Sequence, residues 1–197
     1  MNLVYIKFKD EWVFLMKSLS LVGSVLLLSG CAAMSVEECK TTNWFVKGED
    51  DGSRGHSSKI AGYYKACQKV NVLPDQTEYE HGYRLGLETF CQAQNIFYEA
   101  LNGGGNYQVC PSQYRAGLRP YYDAAHNYYQ AEKDYRNSLD EFERLQDYSD
   151  EKKLKETDRE DYKKRYAELK NKTRKKEWEY RKAQIELEQF KFRNGLN

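Results

Sequence analysis

Tyr121, Ala125, Tyr128, Glu132, Tyr135, Leu139 and Phe142 follow one another at alternating intervals of four and three residues, and so do Tyr162, Tyr166, Leu169, Thr173, Lys176, Tyr180, Ala183, Leu187 and Phe190. That spacing returns to one face of an α-helix every seven residues and cannot line one face of a strand, where the side chains alternate. Residues 119–197 also hold twenty Lys/Arg and eighteen Asp/Glu, with glycine only at Gly195 and proline only at Pro120. The simplest fold for them is a coiled-coil-like helical hairpin with arms of about 25 and 35 residues, roughly 40–50 Å long. The break is expected at residues 147–151, with Thr157 and Glu160 forming a capping box for the second arm; one continuous helix is the alternative. The seam is poor, because Glu132, Thr173 and Lys176 interrupt it and Tyr stands where Leu is usual. Such a pair should be marginal alone. It is expected to lean on the rest of the chain, to associate with another copy, or to receive a partner helix.

Upstream the character changes. Residues 32–118 carry only eight Lys/Arg and ten Asp/Glu, and the shift falls at residues 117–120. The chain therefore reads as a processed segment at 1–30, a small head at 31–118 and a charged hairpin at 119–197. In the head, Ser35 and Glu38 form a capping box expected to open a helix through Trp44, and Asp75 with Glu78 another, opening a helix to about Cys91. Ser57 or Ser58 can cap a helix to about Lys69. Residues 48–55 should be a loop or a glycine-rich turn of helix, and residues 102–106 a loop. The expected fold class is all-α, a small disulfide-stapled helical head followed by the long hairpin. A weak echo runs through the head: Trp44, Gly48 and Gly52; Tyr79, Gly82 and Gly86; Phe97, Leu101 and Gly105. Glycine costs up to about 1 kcal/mol inside a helix, so a bare stripe needs a reason. The expected reason is close helix packing, with a ring of one element covering the glycines of another.

The N-terminus has a one-lysine start at Met16-Lys17, an apolar run over residues 19–28 and then Ser29-Gly30-Cys31. This is signal-peptide organisation, and the run is too short to cross a bilayer as a helix. Lys7, Lys9, Asp10 and Glu11 fit it badly, so translation is expected to start at Met16. Leu28-Ser29-Gly30-Cys31 resembles a bacterial lipoprotein signal, which implies cleavage before Cys31 and acylation (palmitate and related chains) of that residue. Each buried CH2 of such an anchor is worth roughly 0.8 kcal/mol. By resemblance to lipoproteins of enteric-type bacteria, Ala32 implies the inner leaflet of the outer membrane, facing the periplasm. The processed chain carries 28 charges of each sign, so no attraction to nucleic acid or another polyanion is expected. Partners are instead the membrane, through the anchor, and a protein or a second copy, through the hairpin.

Cys39, Cys67, Cys91 and Cys110 remain. An even count in an oxidising compartment reads as two disulfides, and no C-x2-C spacing suggests zinc. Three connectivities are open. The one favoured is Cys39–Cys67, stapling the open ends of an antiparallel helix pair, with Cys91–Cys110, closing a glycine-rich loop. No cofactor or metal is expected. His56, His81 and His126 are the histidines, and there is no GxSxG, HExxH or phosphate loop. Asp51 with His56 could be a base and its orienting carboxylate. More economically, Asp51 caps a helix or binds loop amides with Arg54 as its partner. Trp44, Asp51, Arg54 and His56 are thus possible binding residues, and no residue is assigned to catalysis.

Cys39, Trp44, Gly48, Asp51-Gly52, Gly55, Cys67, Asp75, Tyr79, Gly82, Gly86-Leu87, Cys91 and Cys110 together resemble a family of uncharacterised proteobacterial outer-membrane lipoproteins. Its domain of unknown function shows W-x3-G-x2-DG-x2-G and Y-x2-G-x3-GL-x3-C. The resemblance covers about residues 35–118 and departs at Ala100 and Asn102, where glycine is commoner. It implies periplasmic placement and paired cysteines, and no reaction. The expected function is a lipid-anchored, non-enzymatic interaction or structural module. The alternative is an envelope hydrolase or glycan-binding protein using Asp51, Arg54 and His56.

Overall fold

The computed structural model describes residues 34–151 and 156–196, with side-chain placement over 34–147 and 158–196. The segment read as a signal peptide, residues 1–30, and Cys31 lie outside these residues. The chain is all-helical: among the described residues there are seven α-helices, two short 3-10 turns and no strand. The helices are α1 (Val36–Thr41), α2 (Trp44–Ser53), α3 (Ile60–Cys67), α4 (Gln76–Phe90), α5 (Ala93–Leu101), α6 (Ser112–Glu151) and α7 (Glu156–Asn194). None of them is long and apolar enough to cross a membrane.

The chain folds as two units. Among the described residues, the smaller contains residues 34–42 together with Ala61–Pro74. Its α1 opens on the capping box read from the sequence: Ser35 Oγ accepts from the Glu38 amide at 3.2 Å, and Glu38 Oε2 accepts from the Ser35 amide at 2.6 Å. The helix does not run on to Trp44. Thr42 is extended, and Asn43 spends its side chain capping α2 through the Val46 amide at 3.1 Å. A disulfide joins Cys39 to Cys67, and Met34 packs its sulfur 3.9 Å from that of Cys67. Asn71 turns the chain in the left-handed region after the 3-10 turn Gln68–Val70.

The larger unit comprises Asn43–Ile60 and Asp75–Asn197. Asp75 caps α4 through the Glu78 amide at 3.0 Å. Helices α2 and α4 run parallel and touch backbone to backbone. A Cβ built on Gly48 would lie less than 3.0 Å from the Tyr79 carbonyl, one on Gly82 as close to that of Phe45, and those on Gly52 and Gly86 as close to those of Tyr83 and Glu49. The glycines of each helix are therefore covered by the main chain of the other, not by a ring. Residues 48–53 are helix for the same reason: the packed partner offsets the intrinsic cost of glycine. The third member of the echo differs, since Gly105 sits in a loop at φ +73.

Leu87 and Phe90 of α4 pack with Ile96 of α5, Cys110 and Leu118 of α6, and the disulfide Cys91–Cys110 closes this core. Phe97 and Ala100, one helix face on, pack with Ala125, Leu187 and Leu196. Helix α5 is thus the wedge that carries the base of the hairpin. Helices α6 and α7 are antiparallel, as Tyr121–Asn194, Tyr128–Tyr180, Lys176–Asp134 and Lys172–Glu141 pair across them. They contain 40 and 39 residues, close to 60 Å at 1.5 Å per residue. The first arm is longer than the sequence suggests at both ends. It begins at Ser112, so the compositional step near Leu118 falls inside a helix, and it continues through Glu151. Pro120 is accommodated eight residues in. Glu156 already belongs to α7, so Thr157 lies inside that helix.

All the heptad positions read in α7 are buried or half-buried. Those read in α6 are buried or half-buried too, Phe142 meeting Tyr166 at 5.1 Å between ring centres, while the most deeply buried side chains after Tyr135 are their neighbours Ser138 and Leu145. Ser138 explains Thr173. The two hydroxyls meet at 2.9 Å, and Thr173 also donates to the Ser138 carbonyl at 3.0 Å. What the sequence presents as a defect is a matched polar layer.

Candidate functional site around Asp51

Asp51 is 1% exposed. Helix α2 places it one position before Gly52, so the approach of α4 that the glycines permit carries it inward. Tyr79 of α4, fully buried, donates from its hydroxyl to Asp51 Oδ2 at 2.9 Å. The same hydroxyl accepts from the Lys59 amide at 3.0 Å. Lys59 Nζ lies 3.2 Å from Asp51 Oδ1 and 2.8 Å from His56 Nδ1. An ammonium has only protons to give, so Nδ1 accepts and the ring carries its proton on Nε2. His56 Nδ1 is 3.7 Å from Asp51 Oδ1, which is too far for a hydrogen bond. Tyr83, stacked on Tyr79 at 6.1 Å between ring centres, donates to the His56 carbonyl at 2.8 Å. Gly55, at φ +66, lies against the Phe90 ring where a side chain would not fit.

The arrangement is a latch: a buried carboxylate, two tyrosines and a lysine hold residues 54–59 against α2 and α4. Burying a charge is costly unless it is paired and hydrogen-bonded, and Asp51 is both. Its atoms are engaged by Tyr79 and Lys59 and shielded from solvent, which is the arrangement of a structural group.

Sequence reading brings the right segment together but not the right partners. Arg54 pairs with Asp50 at 2.8 Å on the surface; Lys59 takes the place expected for it at Asp51. Trp44 shares a helical face with Asp51 but begins α2, about 10 Å away along its axis. His81 packs edge-on to Phe45 at 5.3 Å. His126 stacks on Tyr122 at 4.8 Å. Among the described residues no group of three or more His, Cys, Asp or Glu is placed to hold a metal ion. Lys59, Tyr79 and Tyr83 are the residues that sequence reasoning misses as a site. A signal for them exists: if the two G-x3-G stripes pack in register, Asp51 and Tyr79, each next to a stripe, must meet.

Burial pushes the Tyr79 hydroxyl up to about 12, the Asp51 charge adding to it and the Lys59 amide opposing it. Burial raises Tyr83 as well. A raised value favours the protonated phenol in the folded state. Its contribution is therefore complete below pH 10 and lost as the pH rises from about 10 to 12. Urea midpoints over that range should fall, with a share on the order of 2 kcal/mol due to Tyr79. In Tyr79→Phe that share should vanish and stability should already be lower at pH 8. Equal slopes in the two proteins would contradict the latch.

The described fold is that of a disulfide-closed helical domain that runs on into a long helical hairpin. Residues 43–127, from the cap of α2 through the first 16 residues of the 40-residue α6, match the family model described as "Protein of unknown function (DUF2799)". The match encloses the α2–α4 contact, the Asp51 latch and the Cys91–Cys110 disulfide. No curated protein and no solved structure matches the chain.

Proposed function

We propose that the chain is a lipid-anchored lipoprotein of the outer membrane, facing the periplasm, that acts as a non-enzymatic interaction or structural module. The carrying observation is the cysteine arrangement. The four cysteines after Cys31 pair with one another as Cys39–Cys67 and Cys91–Cys110, which suits an oxidising compartment and leaves Cys31, behind its apolar run, to the lipid. The DUF2799 match supports the resemblance read from the head. The hairpin supports the interaction role: it is long, its surface is charged on every turn, and its base is joined to a rigid core.

Expression in a bacterial host with intact-mass analysis tests the anchor. The expected product begins at Cys31, carries added acyl mass, has two disulfides and fractionates with the outer membrane. Cys31→Ser should move it to the soluble fraction with its melting temperature unchanged. An unmodified, soluble chain with four reduced thiols would overturn the reading.

A further inference from the structure

The hairpin leaves one face of α7 unused. Trp178, Ile185 and Phe192 are 63%, 60% and 91% exposed in a helix otherwise covered by Lys, Arg and Glu. They are seven residues apart, so they form a single row along the helix. Each stands two positions after a seam residue, namely Lys176, Ala183 and Phe190. Two positions are about 200° of helix, so the row faces away from α6. An apolar trough lined by Leu101, Tyr128, Ile185, Leu187 and Phe192 runs beside it and joins the core at the hairpin base, where Leu187 is buried. Single exposed apolar residues are ordinary, but three at the repeat of a helical coil form an interface pattern.

We propose that a second copy of this chain covers the row, its α7 lying antiparallel about a two-fold axis at Ile185. The proposal rests on the interaction-module reading but not on the lipid anchor. Charge selects both the occupant and its direction. A two-fold pairing centred on Ile185 sets each residue against the one equally far beyond the axis: Trp178 meets Phe192 of the second copy, Lys182 its Glu188, Glu177 its Arg193 and Glu179 its Lys191. One patch matching itself is what a two-fold contact requires. Parallel pairing would instead bring residues 174–182, with five cations and two anions, against themselves. The row offers a few hundred Å² per copy, small for a specific interface. Association is therefore weak in dilute solution and gains from confinement of both copies on one surface.

Cysteine substitutions on the exposed row read the geometry in cells exporting the full chain, with the unsubstituted chain as background. Ile185→Cys lies on the axis and should give a disulfide-linked dimer about tenfold above background on non-reducing gels. Trp178→Cys alone and Phe192→Cys alone each sit roughly 20 Å from their equivalents and should stay unlinked, while the two co-expressed should form a mixed dimer. In sedimentation of the purified chain, Ile185→Glu should remove the dimer seen at about 100 µM without moving the melting temperature. Three results would overturn the proposal: self-linking at all three positions, which means parallel pairing; no linked species and a monomer at every concentration; or a monomer that binds phosphatidylethanolamine–phosphatidylglycerol vesicles through Phe192, which assigns the row to lipid. A chain that dimerises as described yet carries no acyl group at Cys31 upholds this inference and removes only the anchor.

Discussion

Gly82→Ala is expected to destabilise the larger unit by about 3 kcal/mol or more. The added Cβ would lie within 3.0 Å of the Phe45 carbonyl carbon and oxygen and of the Glu49 amide nitrogen. These are main-chain atoms of a packed helix, so no side chain can rotate away. Relief requires α2 and α4 to separate, which also pulls Tyr79 from Asp51. The contrast lies within the same protein. Gly62 and Gly117 are helical and have nothing within 4 Å of the position a Cβ would take. Gly62→Ala and Gly117→Ala should stabilise by about 0.5–1 kcal/mol through helix propensity alone. Urea titrations of the three variants give the comparison. A Gly82→Ala midpoint level with that of Gly117→Ala would mean that the helices do not meet as described.

Removal of Cys91–Cys110 is the second large effect. The bridge spans 19 residues, and in the chain-entropy model a closure of that size contributes about 3 kcal/mol. Cys110 is fully buried beside Leu87, Phe90, Ile96 and Leu118, so the double substitution Cys91→Ala, Cys110→Ala also trades packed sulfur for a small void. A fall in melting temperature of about 6–12 °C is expected. Mild reductant should lower the melting temperature further in the native chain than in the variant, which has only Cys39–Cys67 left to lose. If reductant shifts both proteins equally, the stabilisation comes from elsewhere.

These two effects mark where the fold is legible in sequence and where it is not. The hairpin announces itself because a repeat of seven is a property of the chain alone, and the residues at those positions in α7 are the ones that turn inward. Its length is harder to read. Residues 147–151 look like a break because Asp and Ser favour caps, yet α6 continues through them, since charged helix faces need no partner to extend a helix already formed. The caps at Ser35 and Asp75 are legible because they are local. The glycine stripes are legible as a need for close packing, but not as backbone meeting backbone, because that depends on which helix arrives. Asp51 is the clearest case. Its partners stand 8 and 28 positions away, at Lys59 and Tyr79, while Arg54 and His56 are near in sequence and tempting on charge. Proximity along the chain favours the wrong cation; packing of α2 on α4 selects the right one.

Leu196 and Leu187 fill the same small core as Phe97, Ala100 and Ala125. A polypeptide made from its N-terminus presents the second set long before the first. Until the last turns of α7 are made, those three residues have only one another and Leu101, Tyr121, Tyr122 and Tyr128 as cover. Assembly of the base therefore waits on the C-terminal turns of α7.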